Sequence, residues 1–118
     1  MVNAKTVLVV EDDDDLRELF AACLARYGYS VAEAVNGQDA LDFLKTQPRP
    51  CLVLLDMRMP VMDGAQFLAA LHQEHTFDSM PVVVVSATAP NVSGARRVVR
   101  KPVSPEQIAA IAHEFCPC

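Results

Sequence analysis

A doubly wound α/β fold is predicted: a five-stranded parallel sheet covered by helices on both faces. Two observations predict it. Short β-branched runs recur along the chain, and between them apolar residues return at three- and four-residue spacing, so the period alternates between strand and helix. The run Cys51 to Leu55 is apolar throughout, as in a strand buried on both faces of a parallel sheet.

Taken in order, Val7 to Val10 is the first strand, and Leu16, Leu19, Phe20, Cys23, Leu24 and Tyr27 form the apolar stripe of a helix ending near Gly28. Tyr29 to Ala34 is a short second strand. Asn36-Gly37 turns into a helix carrying Ala40, Leu41 and Leu44, closed by Pro48 and Pro50. The third strand, Cys51 to Leu55, stops at Asp56. A loop with Pro60, Asp63 and Gly64 leads to a helix presenting Phe67, Leu68 and Leu71. Val82 to Val85 is the fourth strand, followed by Ser86. A weaker fifth, Val98-Val99, runs into Arg100, Lys101 and Pro102. In the last helix Ser104 is the N-cap, Pro105 takes the first helical position and Gln107 completes a capping box; Ile108, Ile111, Ala112 and Phe115 make its apolar face.

The 118 residues suit one domain spanning 1–118, large enough to bury a core without disulfides. No apolar run approaches the ~18 residues that cross a bilayer, and Met1 to Lys5 lacks the features of a signal peptide. A cytoplasmic protein is expected. Ten Lys+Arg against fifteen Asp+Glu leave a net charge of −5, the wrong sign for attraction to nucleic acid or an anionic membrane. Neither is expected as a partner. Cys23, Cys51, Cys116 and Cys118 show no paired metal-binding spacing. Cys23 and Cys51 are expected as buried reduced thiols; Cys116-Pro117-Cys118 could hold a metal or a disulfide, but a frayed tail is the expectation.

In open α/β sheets ligands bind beyond the carboxyl ends of the strands. The residues expected at that rim are Glu11 and Asp12, Asp56, Ser86 and Lys101. Three converging carboxylates repel unless a cation screens them, and a small hard divalent ion prefers such oxygen ligands, so Mg²⁺ (or Mn²⁺) is the expected cofactor. A carboxylate beside Mg²⁺ can attack phosphorus while a lysine and a hydroxyl hold the phosphoryl oxygens. The set suggests an aspartyl-phosphate. The other acids read differently: Asp14 and Asp15 suit the first turn of a helix, with Asp13 at the seam, and Asp63 suits an N-cap. His72, His75 and His113 read as surface residues, Met57, Met59 and Met62 as packing for their loop, and Arg96, Arg97 and Arg100 as a solvated face. Arg58 is placed to reach over a phosphate.

"VLVVEDD" at 7–13, "LLDMRMPVMDG" at 54–64, "VVVVSA" at 82–87 and "RKPVSPEQI" at 100–108 together resemble the receiver domain of bacterial two-component response regulators, in order and over nearly the whole chain. The resemblance implies a flavodoxin-like sheet in the order 2-1-3-4-5. It implies that Asp56 accepts a phosphoryl group from a sensor histidine kinase or a histidine phosphotransfer protein, and that a downstream protein reads the result. Asp12, Asp56 and the carbonyl of Arg58 would ligate the metal, with Glu11 holding it through water. Ser86, Lys101 and the N–H groups of Met57 and Ala87 would contact the phosphoryl oxygens. Pro60 and Gly64 would shape the loop, and Lys101-Pro102 would be a cis-proline turn. Such a domain is a phosphoacceptor and not an enzyme, beyond catalysing its own phosphorylation and dephosphorylation.

Two departures bear on output. Fourteen residues lie between Ser86 and Lys101, about two helical turns fewer than is usual in the family, and they include Pro90, Asn91 and Gly94, so the helix between strands four and five is expected to be shortened or missing. Val98 stands three residues before Lys101, where the family places Tyr or Phe. The alternative reading is therefore a receiver-like interaction module that signals without phosphate. A Mg²⁺-dependent phosphatase is disfavoured, because Arg58 occupies the position of its second acid.

Overall fold

A computed structural model describes residues 2–87 and 94–116, of the first three the backbone alone. Five parallel strands form one sheet in the order β2-β1-β3-β4-β5. These are β1 (Val2–Val10), β2 (Ser30–Ala34), β3 (Arg49–Leu55), β4 (Val82–Ser86) and β5 (Arg97–Arg100), joined by α1 (Asp14–Arg26), α2 (Gly37–Thr46), α3 (Gly64–Gln73) and α4 (Pro105–Phe115), with a short 3₁₀ turn at His75–Phe77. None of the described helices is long and apolar enough to cross a membrane.

The two-residue period of each strand divides its side chains between two cores. Leu8, Val10, Val53, Leu55, Val82 and Val84 face α2 and α3, where Leu41, Leu44, Phe67, Leu68 and Leu71 close over them. Val7, Val9, Leu52, Leu54, Val83 and Val85 point the other way, under α1 and α4 with Phe20, Leu24, Ile108 and Ile111. Where β1, β3 and β4 are covered on both faces, at residues 7–10, 52–55 and 82–85, their sequence is apolar without a break.

Capping agrees closely with the sequence. Asp13 accepts from the Leu16 N–H and starts α1, leaving Asp14 and Asp15 in the first turn. Asn36 caps α2. Asp63 with Gln66, and Ser104 with Gln107, form complete capping boxes at α3 and α4.

Several expectations need correction. β1 begins at Val2, before the β-branched run. β3 begins at Arg49, so Pro50 opens a strand and does not close a helix. It is tolerated there because it falls where the β1–β3 register shifts and before β4 begins to pair at Val53. Leu19 and Tyr27 are not on the buried stripe of α1, being 48 % and 57 % exposed. Leu19 lies about 100° round the helix from Phe20, and Tyr27 is the C-cap, past the last helical residue. Ser86 ends β4 and does not follow it. The expectation for the helix between β4 and β5 falls mainly on residues 88–93, outside the described residues.

The cysteine expectations fail more plainly. Cys51 is not a free thiol and Cys116 is not in a frayed tail: the two form a disulfide, with Cα atoms 5.6 Å apart, while Pro117 and Cys118 lie outside the described residues. After β5, α4 runs back across the sheet, which delivers its C-terminal end to the start of β3. There Cys116 is buried, and its carbonyl accepts from the Tyr29 hydroxyl at 2.9 Å. Cys23 is free and buried, as expected.

Candidate functional site

The register of the sheet assembles the rim. Val10 pairs with Ala34 on one side and Leu55 on the other, so β1 and β3 end level, and the next residues are Glu11 and Asp56. The Asp56 N–H donates to the Val10 carbonyl and the Glu11 N–H to that of Ala34, which extends the ladder by one step and fixes both backbones. Ser86 ends β4 opposite Arg100 of β5, and the Lys101 N–H donates to the Ser86 carbonyl at 2.7 Å. Each residue expected at the carboxyl ends of the strands is found there.

Carboxylate oxygens of Glu11, Asp12 and Asp56 all lie within 4.8 Å of one another. Glu11 and Asp56 are buried while Asp12 is exposed, which leaves the cluster open to solvent on one side. Lys101 answers part of this charge: its Nζ stands 3.0 Å from Glu11 Oε1 and 3.4 Å from Asp56 Oδ1. Burial is the main influence on Glu11, raising its pKa to about 7 against the lowering effect of the Lys101 hydrogen bond, with the nearby Asp56 charge raising it further. For Lys101 burial works to lower the pKa, yet the hydrogen bond and charge of Glu11, with the charge of Asp56, hold it above its usual value. The chemistry of the donor set fits a hard divalent cation: three carboxylate oxygens, one ammonium that cannot neutralise all three, and an open side for water.

Support comes from residues that sequence reasoning passed over. Arg17 Nη1 donates to the Glu11 carbonyl at 2.9 Å while its guanidinium also pairs with Asp14 and Glu33. The Asp14–Arg17 spacing is a signal for the helical pair; nothing in it points to Glu11. The Asp13 N–H donates to Glu11 Oε2 at 3.3 Å, so one residue both caps α1 and steadies a rim carboxylate.

The loop after Asp56 is set by close approach. Arg58 and Pro60 are exposed, Met57 is partly buried and Met59 is packed into the α2/α3 core. At Val61 φ is +69°, and the Met62 N–H donates to the Pro60 carbonyl at 2.8 Å, a γ-turn centred on a β-branched residue. Such a residue rarely takes positive φ, so sequence reasoning has no means to find it. Gly64 starts α3 against the backbone it has just left: a Cβ there would lie 2.8 Å from the Asp56 carbonyl oxygen and 2.6 Å from Met57 Sδ. The Gly64 N–H donates to the Met57 carbonyl. Lys101-Pro102 is cis, as expected. Ala87 is exposed next to Ser86. Val98 is partly buried, pairs with Val84 and packs on the α2/α3 core.

A parallel sheet in this order, with an acidic cluster and one lysine at the carboxyl ends of its strands, defines a receiver domain. The chain belongs to the response regulator receiver domain family, whose model matches residues 7–113. Among curated proteins it is similar to the response regulator Rre1 of Synechocystis, 34 % identical over 98 % of this chain and 53 % of that protein. It also resembles the transcriptional regulatory protein AfsQ1 of Streptomyces coelicolor, 33 % identical over 83 % of this chain and 45 % of that one. The chain thus spans about half the length of the curated relatives it matches. Among solved structures it superposes on the response regulator TrrA of Thermotoga maritima, in complex with Mg²⁺ and beryllofluoride, with a TM-score of 0.82 at 25 % identity over 94 % of this chain and 98 % of that one.

Proposed function

We propose that this receiver accepts a phosphoryl group on Asp56 from a phosphohistidine of a sensor histidine kinase or histidine phosphotransfer protein, in the cytoplasm, and signals through contacts with a downstream protein. The observation that carries this reading is the rim itself: three carboxylates within 4.8 Å, and a lysine 3.4 Å from Asp56. An Asp56 oxygen attacks phosphorus; a P–O bond forms as the P–N bond to the imidazole breaks, and the ring nitrogen takes up a proton. Asp12, Asp56 and the Arg58 carbonyl are the residues to hold Mg²⁺, with Glu11 behind water, and the ion supplies positive charge among the acids and the incoming phosphoryl oxygens. Lys101, Ser86 and the N–H groups of Met57 and Ala87 are set to receive those oxygens. The Lys101 ammonium already lies between Glu11 and Asp56, so a short swing toward Asp56 brings it onto a phosphoryl oxygen. The domain turns over no separate substrate; it is a phosphoacceptor.

The test is Mg²⁺-dependent labelling by acetyl phosphate or a phosphorylated histidine kinase. Label is expected on the wild type and absent from Asp56→Asn. Wild-type protein that never labels with Mg²⁺ present would end this reading.

Two observations favour a second reading, a module that binds partners without phosphate: the partly buried Val98 in place of a ring, and fourteen residues between Ser86 and Lys101. Beryllofluoride with Mg²⁺ decides between them. On the first reading amide resonances shift in β5 and α4 as well as at the rim; on the second they shift at the rim alone.

A further inference from the structure

Cys51 and Cys116, 65 positions apart in sequence, join the start of β3 to the end of α4. The covalent ring they close contains Asp56, Ser86 and Lys101, so the bond ties the strand that leads to Asp56 to the helix that follows Lys101. It lies at the opposite end of the strands from the rim. Cys116 is buried to 2 % exposure while Cys51 is only partly buried, so Cys51 is the less protected of the two toward a small thiolate.

The fold does not depend on this bond to seat α4. Ile108, Ile111 and Ala112 are buried under the sheet, and the Tyr29 hydroxyl holds the Cys116 carbonyl at 2.9 Å. Opened, the pair would be two small thiols in apolar packing, a setting thiols accept. Elsewhere in the chain Cys23 is already a buried free thiol. Both redox forms therefore have a folded state. In a reducing compartment disulfides are characteristically transient or redox-sensing, and the inference takes its setting from the cytoplasmic reading above.

We propose that Cys51–Cys116 is a reversible redox clip that sets how firmly the end of α4 is held to the strand carrying Asp56. To open it, a low-molecular-weight thiolate of the glutathione class attacks Cys51 Sγ, the bond to Cys116 breaks, and Cys116 leaves as a thiolate that is then protonated. A second thiolate attacks the small molecule's sulfur in the mixed disulfide, releasing Cys51 and one small-molecule disulfide. Two electrons pass from two thiols to the pair, and the small-molecule disulfide reverses the exchange.

The test is a titration of the full chain with mixtures of reduced and oxidised glutathione, acid-quenched and trapped with a bulky maleimide. Cys23→Ala and Cys118→Ser together leave only the pair to titrate; should that variant not fold, the same transition is followed in wild type. The expected result is one two-electron transition inside the glutathione range, reached equally from either side. The reduced form is expected to melt roughly 10 °C lower and to exchange the amides of 111–116 faster. A pair still bonded in a hundredfold excess of reduced glutathione is a permanent staple and overturns the proposal. So does a pair that stays fully reactive to maleimide in excess oxidised glutathione.

Discussion

Lys101 places its ammonium 3.0 Å from a carboxylate oxygen of Glu11, ninety residues earlier in the chain, and only 3.4 Å from Asp56. The sheet makes this contact: β5 and β1 are separated by β3 and β4, and only the level ending of the strands lets a flexible lysine cross the gap. One cation thus faces two buried acids. The surplus negative charge adds to burial in raising Glu11 toward neutrality, and it prepares the rim for a divalent ion.

A pH-dependent stability follows for the metal-free protein. The pKa of Glu11 is raised to about 7 from an ordinary 4.5, so as pH climbs through that interval the unfolded chain gives up its proton first and the folded state loses ground. Relative to Glu11→Gln, which keeps the protonated shape, wild type should lose on the order of 3 kcal/mol between those limits and nothing further above them. The raised pKa of Lys101 lies outside this window, because stability from that group is lost only above 10.5. Urea unfolding of both proteins at a series of pH values measures the difference; a difference that grows with pH in favour of wild type would contradict it.

Mg²⁺ should stabilise the fold through the same acids. A ligand at a hundred times its dissociation constant adds about 2.7 kcal/mol to unfolding. In Asp12→Asn, which removes the exposed member of the cluster, most of this increment should vanish while metal-free stability holds. Melting curves with and without Mg²⁺ show whether it does, and an undiminished increment would mean that the ion sits elsewhere.

The rim was legible in the sequence because it rests on local rules. Each site residue follows or ends an apolar strand, and parallel strands bring such positions to one edge whatever lies between them. Asp63 was legible as a cap because capping is settled within four residues, whereas at Asp13, Asp14 and Asp15 three like acids in a row showed a helix start and not which of them is the N-cap, a role that falls to Asp13. What escaped depends on contacts between distant segments. No local pattern tells that α4 ends over the start of β3, so the Cys51–Cys116 bond was hidden by a sequence separation of 65. Arg17 supports Glu11 only because α1 leans back over the rim, and Val61 takes a backbone conformation against its own preference.

The caps themselves can be tested at the two helices that frame the site. Ser104→Ala removes the hydroxyl that accepts from the Gln107 N–H and leaves the backbone half of the capping box in place, and Asp63→Ala does the same at Gln66 by removing its carboxylate. Each should cost about 1 kcal/mol. Their effects should add, since the helices lie on opposite faces of the sheet. Chemical denaturation of the two single variants and the double variant checks both the size and the additivity.

Gly64 and Gly28 separate steric from conformational demands. At Gly28 φ is +93° and a Cβ would meet open space, so Gly28→Ala incurs backbone strain alone, about 1 kcal/mol. At Gly64 the new methyl would press at 2.8 Å on the Asp56 carbonyl and on Met57 Cα, atoms of the main chain that cannot swing aside as a side-chain end can. Gly64→Ala should therefore cost about 1–3 kcal/mol, as overpacking does. Because the atoms displaced belong to Asp56 and its neighbour, it should also reduce the Mg²⁺-dependent rise in melting temperature, whereas Gly28→Ala leaves that rise intact. The paired measurement is stability with and without Mg²⁺ for both variants. Equal Mg²⁺ responses would show that the start of α3 can yield without moving the acid.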